Sequence, residues 1–299
     1  MVGSPAEKAG LQPGDRLTNL NDQGPPGTVE GLQKAEIFDD PPLLKVRVER
    51  GPVRRAQIRT LTLEPRVLRR MHLPLLYTPP DAPVGVQVLR IPSFKEGRRV
   101  GPRVHALVRQ AQKQGTRKLI VDLRHGGGGL LQECLMAAGA IIGPAQVNSE
   151  SRRGPSSAEW TGRRVQLQRD LIITRPWWHA SSRSHVLAFP ARWHGETVVL
   201  VDRGTASCHE TMAYLLQRTG IPVLGLPTAG LLSTSVLWRE LPGGGALQVS
   251  MYRKLDSQGK PMLHRVTPDI RVVDDPQVFA ATGHDPALQA AYRRLAVQR

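Results

Sequence analysis

The sequence predicts an α/β fold with a mixed sheet and crossover helices, preceded by a smaller β-rich module. Beyond about residue 71, short apolar runs of strand length alternate with segments of helical periodicity. Glycine or polar turns separate them, and before that point the apolar residues instead alternate one by one. Strand and helix in alternation argue for a parallel or mixed sheet closed by crossovers. A chain of 299 residues, 40% of them hydrophobic, is long enough to bury one large core and a second small one.

The elements follow in order. Ser4 suits a cap, Pro5 the first helical position and Gly10 a left-handed stop, so a short helix and the turn Leu11 to Asp15 open the chain. Residues 16–21, 43–49 and 56–63 alternate as strands, and this module is expected to span 1–66. The second unit, 67–299, begins after the arginine-rich connection 66–70. Within it, residues 84–91 predict a strand, 100–114 a helix, 119–123 a buried strand, 126–129 a glycine loop and 130–142 a buried helix. The pattern recurs as strand 198–201, loop 202–206, helix 207–218 and strand 221–226, and a hairpin follows from 238–241 and 247–252. Residues 146–195, with Trp160, Trp177, Trp178 and Trp193 among arginines, show little periodicity and are expected to form an irregular insertion or cover.

Composition narrows the function. The formal charge is +16, but the basic residues are scattered rather than gathered on one helix or loop, so no specific nucleic-acid partner is expected. No apolar run reaches the length of about 18 residues that a membrane-spanning helix needs, and no secretory segment follows Met1. Cys134 and Cys208 form neither a disulfide framework nor a metal pattern. The dinucleotide fingerprint and the P-loop are both incomplete, and no cofactor is expected.

Two features carry chemistry. Ser207 stands at the head of a helix that follows a short strand, beside unpaired N–H groups and the positive end of the helix dipole, which favour an alkoxide or an oxyanion. Its spacing to Glu210 also fits a capping box, a purely structural use of the same residues. The run Gly126 to Gly129 lets the backbone approach a ligand and turn its N–H groups inward.

Together these pieces resemble the carboxy-terminal processing serine proteases. Gly3 to Asp15 is similar to the helix and turn of a PDZ domain, and Arg90-Ile-Pro-Ser-Phe94 to the first core strand of those enzymes. Leu119 to Leu130 resembles their Asp-Leu-Arg-x-x-x-Gly-Gly loop, and Val266-Thr-Pro-Asp-Ile270 their closing motif. Gly204-Thr-Ala-Ser-Cys-His-Glu210 agrees with their nucleophile segment at five of seven positions. The resemblance implies a crotonase-like protease core, Ser207 as nucleophile, and an oxyanion hole from Cys208 and from Gly128 or Gly127. It also implies peptide hydrolysis through an acyl-enzyme, with protein substrates recognised at apolar carboxy termini. The oligomeric state is not legible.

The chain departs from that family at Thr228-Ala-Gly-Leu-Leu232, where Leu231 replaces the lysine that takes the proton of the serine. The histidine candidates for a substitute are His209, foremost by sequence position, with His125 and His264. A degenerate relative that binds peptides or acts as a scaffold is the alternative. The PDZ-like module lacks the strands that would precede Gly3, so either the start lies upstream, with an export segment and, by the family resemblance, a site in the cell envelope or periplasm, or the shortened module is what exists; the location is not legible from this chain.

Overall fold

The computed structural model describes residues 5–12, 14–22, 24, 43–51, 53–64, 72–152, 154–169, 183–256 and 258–297. The chain forms two compact units, residues 1–70 with 274–289 and residues 71–273 with 290–299. The division lies close to the expected 66/67, but the linear reading did not place 274–289 with the first unit.

The first unit holds helix α1 (Pro5–Lys8) and an antiparallel sheet of β1 (Arg16–Leu20), β2 (Leu44–Arg50) and β3 (Gln57–Leu63), in that order. Along β2, Leu44, Val46 and Val48 are buried while Lys45 and Arg47 are exposed, the alternation of a strand with one wet face. Leu20 and Leu63 complete that small core, with Ala6, Ala9 and Leu11 packed against it. The Arg50 guanidinium donates two bonds of 2.7 Å to Asp15, fastening the turn after α1 to the sheet. That bond holds the Asp15 carboxyl below its ordinary range against the opposing effect of burial.

The second unit runs β4 (Leu75–Tyr77), β5 (Val86–Arg90), α2 (Val100–Lys113), β6 (Lys118–Asp122) and α3 (Leu131–Ile142), then β7 (Ala145–Ser151), β8 (Gly154–Trp160), β9 (Arg164–Arg169) and β10 (Arg183–Val186). It continues with β11 (Glu196–Val201), α4 (Cys208–Arg218), β12 (Val223–Gly225), the hairpin β13 (Thr234–Glu240) and β14 (Ala246–Leu255), and β15 (Ile270–Arg271). Helices α5 (Pro276–Thr282) and α6 (Pro286–Val297) end the chain.

One sheet has the order β15-β12-β11-β6-β5-β4, parallel except for β4 at its edge. Because β5, β6, β11 and β12 succeed one another across it in chain order, their right-handed crossovers place the helices on one face. Accordingly α3 packs against both α2 and α4. The other sheet, β10-β9-β8-β7-β14-β13, is antiparallel and lies on α3.

Residues 146–195 therefore do not form an irregular cover: their described part builds β7 to β10. The period was hidden because Ser, Gln and Glu fill the wet positions, and only Ala145, Val147, Ala158, Trp160 and Val165 mark the buried face. Trp160 and Trp193 are buried in the main core, where no nucleic acid can stack on them, and Trp177 and Trp178 lie outside the described residues. Among the described residues no helix is long and apolar enough to cross a membrane.

Candidate active site

In a parallel sheet the crevice for ligands forms beyond the carboxyl ends of the strands. Here the loops after β6, β11 and β12 converge at those ends, and hydrogen bonds tie each to the next. The Ala206 N–H donates to the Gly126 carbonyl at 2.8 Å, and the Ala229 N–H to the Thr205 carbonyl at 3.0 Å. The segment after β5 joins through the Phe94 N–H to Gly128 O, 3.0 Å, and the Leu130 N–H to Phe94 O, 2.9 Å. Beneath the glycine loop lies Asp122, 2% exposed, with the Arg124 side chain on both its oxygens at 3.0 Å and Arg90 at 2.8 Å. Burial alone would raise its pKa, but Arg124 and Arg90 outweigh it and hold the carboxyl below the ordinary value.

Ser207 sits between β11 and α4 with φ +56° and ψ −116°, a conformation disfavoured for any residue with a side chain. Two contacts maintain it. Its N–H donates to Glu210 Oε2 at 2.7 Å, so the carboxylate half of the capping box is formed. Its side chain abuts the glycine loop: a Cβ built on Gly128 would lie 3.0 Å from Ser207 Oγ. The expected meeting of hydroxyl, helix start and glycine loop is thus what the fold creates. The Cys208 and Gly127 N–H groups have no hydrogen-bond partner among the described residues.

Glu210 does more than cap. Fully buried, it also accepts the Thr228 hydroxyl at 2.6 Å and the N–H groups of Gly230 and Leu231 at 2.9 Å each, binding the start of α4 to the loop after β12. That loop brings Leu231 into the wall of a cavity of about 370 Å³ that Ser207, Gly127 and Lys95 also line. Leu231, the position that the resemblance assigns to the family's lysine, therefore shares a cavity with Ser207, and a leucine accepts no proton.

The histidines do not replace that lysine. His209 is fully buried; its Nδ1 accepts the Gly128 N–H at 3.0 Å, so Nε2 carries the proton and donates to Ile91 O at 3.0 Å. Both nitrogens are occupied, and the ring fills the space where a Cβ on Gly126 would meet its Cδ2 at 2.1 Å. This corrects two expectations: His209 positions the glycine loop instead of meeting the serine, and the Gly128 N–H is spent on that ring rather than facing the crevice. His125, 70% exposed at its side chain, pairs with Asp202 at 2.5 Å, and His264 Nδ1 lies 3.4 Å from Ser233 Oγ. Neither lines the cavities at Ser207. Inspection of the sequence also overlooked Lys254, a buried lysine in β14 that lines a second cavity with Ser207. Among the described residues no cluster of His, Cys, Asp and Glu is arranged to hold a metal.

His209 shares its setting with His105, whose Nδ1 accepts the Ala191 N–H at 2.8 Å while Nε2 faces Met136 O at 2.9 Å. Burial lowers both from 6.5 to about 4. The unfolded chain therefore takes up these protons first as pH falls. Stability from the two is complete above pH 6.5 and declines toward pH 4, by on the order of 3 kcal/mol for each. Denaturant titrations near pH 5 should show about two extra protons bound on unfolding; a midpoint that ignores pH in that window would contradict the assignment.

A serine on a strained strand-to-helix turn, set against a glycine loop with the free N–H groups of Cys208 and Gly127 nearby, is the arrangement acyl-transfer hydrolases use. The chain belongs to peptidase family S41, whose profile matches residues 85–272. It is a homologue of the carboxy-terminal processing protease CtpA of Bacillus subtilis (strain 168), 25% identical over 267 residues, covering 86% of this chain and 48% of that protein. It thus spans about half the length of that relative. Among solved structures, a Bacteroides fragilis NCTC 9343 protein assigned to the same family superposes with a TM-score of 0.67 at 16% identity, covering 99% of this chain and 76% of the other. A photosystem II D1 C-terminal processing protease gives 0.52 at 20%, covering 99% and 71%. These likenesses establish the shared fold of mixed α/β sheets.

Proposed function

We propose that the chain is a serine endopeptidase that cleaves proteins near their carboxy termini through an acyl-enzyme on Ser207. The observation that carries this reading is the packing of the Ser207 side chain against Gly128 on a strained turn, at the carboxyl ends of the parallel strands. The Cys208 and Gly127 N–H groups would receive the oxyanion. The core is then the crotonase-like protease core of the family, and the first unit is a PDZ-like module that presents apolar carboxy termini. Family membership supports a protein substrate.

Leu231 favours a second reading, a relative that binds peptides without cleaving them, because it removes the usual proton acceptor from the cavity wall. Incubation with an unfolded protein ending in apolar residues, followed by mass spectrometry of the products, separates the two. New carboxy termini are expected, in smaller yield when that end is replaced by charged residues. A substrate recovered intact, yet retained by the chain, would establish the peptide-binding reading instead.

A further inference from the structure

We infer that Lys254 is the general base of Ser207, in place of the lysine that Leu231 displaced; the inference rests on the peptidase reading above. Lys254 lies next to the end of β14 with 1% exposure. Its Nζ donates to Thr211 Oγ1 at 2.8 Å, and that hydroxyl lies 3.2 Å from the Ser207 carbonyl. Ser207 precedes α4 with non-helical dihedral angles, and Thr211, in the first turn, reaches its backbone carbonyl. The amine is therefore anchored to the first turn of α4, the helix that Ser207 starts. Lys254 also lines the cavity of about 280 Å³ that Ser207 and Cys208 line.

The surroundings suit a base. Lys254 forms no ion pair among the described residues; its amine meets a hydroxyl, not a carboxylate. A lysine amine anchored by a hydroxyl rather than a carboxylate, on a residue that lines the same cavity as the nucleophile, is placed to exchange a proton with it. Lys95, on the other cavity, is exposed and hydrated. The register explains how the position arises: the Lys254 N–H donates to Ser233 O at 2.8 Å, so β14 delivers its side chain beside the loop that lost the family lysine.

In the reaction the neutral amine takes the Oγ proton as Oγ bonds to the carbonyl carbon. The ammonium gives that proton to the departing nitrogen when the C–N bond breaks. Water then loses a proton to the same amine while attacking the ester, and Oγ recovers it as the acid product leaves. Each cycle returns Lys254 to its starting state.

The test is the rate at which a fluorophosphonate labels Ser207 between about pH 6 and pH 10, with folding followed by circular dichroism. Lys254→Met should label about 100-fold to 10,000-fold more slowly than the wild-type chain. Leu231→Lys introduced into that variant should recover part of the rate. Lys254→Arg, which keeps the charge and the reach to Thr211 but accepts no proton, should be as slow as Lys254→Met and should lose the wild-type rise with pH. It decides the question if the methionine variant does not fold, because a merely structural lysine would leave the pH dependence unchanged. Wild-type rates in either folded variant, or a loss confined to Lys95→Met, would overturn the inference while leaving Ser207 as nucleophile. A wild-type chain that takes no label at any pH would overturn the peptidase reading itself, and this inference with it.

Discussion

Ser207→Ala should lower kcat/KM for peptide hydrolysis by about 10⁴-fold to 10⁶-fold, leaving only what the crevice contributes without a nucleophile. Alanine keeps the Cβ that abuts Gly128 and removes only Oγ, so the surrounding loops have no reason to move. Because φ is +56° at this residue, the backbone strain persists in the alanine variant. Ser207→Gly relieves it and should raise stability by about 1 kcal/mol while remaining equally inactive. A gain in stability that accompanies loss of activity is the signature of a residue held in an unfavourable conformation for chemistry. Hydrolysis by the alanine variant at an unchanged rate would show that another group is the nucleophile.

Glu210→Ala should destabilise the second unit by about 4 kcal/mol or more, the largest effect on stability expected from a single side chain near the site. The change leaves the Ser207, Gly230 and Leu231 N–H groups without an acceptor and takes the Thr228 hydroxyl off its carboxylate. The Thr228 hydroxyl is buried and costs about 1–3 kcal/mol when orphaned, and the three part-buried N–H groups each cost about 1 kcal/mol, the lower end of that range. Glu210→Gln should be milder, since Oε1 and Oε2 each accept two of the four bonds and the amide retains one oxygen. Denaturant midpoints of the three proteins order the effect. An alanine variant within about 1 kcal/mol of wild type would mean that water replaces the carboxylate and that the two loops are not held by it.

Much of the second unit was legible from periodicity alone, because its strands and helices lie in one core and show it. Helix 100–114 was expected, and Val100–Lys113 is observed, with Val104, Leu107, Val108 and Ala111 turned inward. The run 119–123, apolar and without alternation, is a central parallel strand buried on both faces. Of the antiparallel sheet only the hairpin β13–β14 was legible; β7 to β10 were not, since their wet face carries Ser, Gln and Arg and their buried face uses small residues such as Ala145 and Ala158. Ser207 was legible because a strand, a tight turn and a helix mark its place locally. His209 misled for a physical reason: two residues along a helix turn a side chain by about 200°, so proximity in sequence carries it away from the serine. Lys254 was out of reach because it meets the site only through the pairing of β14 with β13 and β7, a contact across long sequence separation.

All of this depends on one hydroxyl being reactive where the folded chain holds it. Labelling the native chain with a fluorophosphonate, digesting it and locating the adduct by tandem mass spectrometry tests that directly. The account predicts one adduct, on Ser207, absent when the chain is denatured before exposure. An adduct on another residue, or equal labelling of the native and denatured chains, would contradict it.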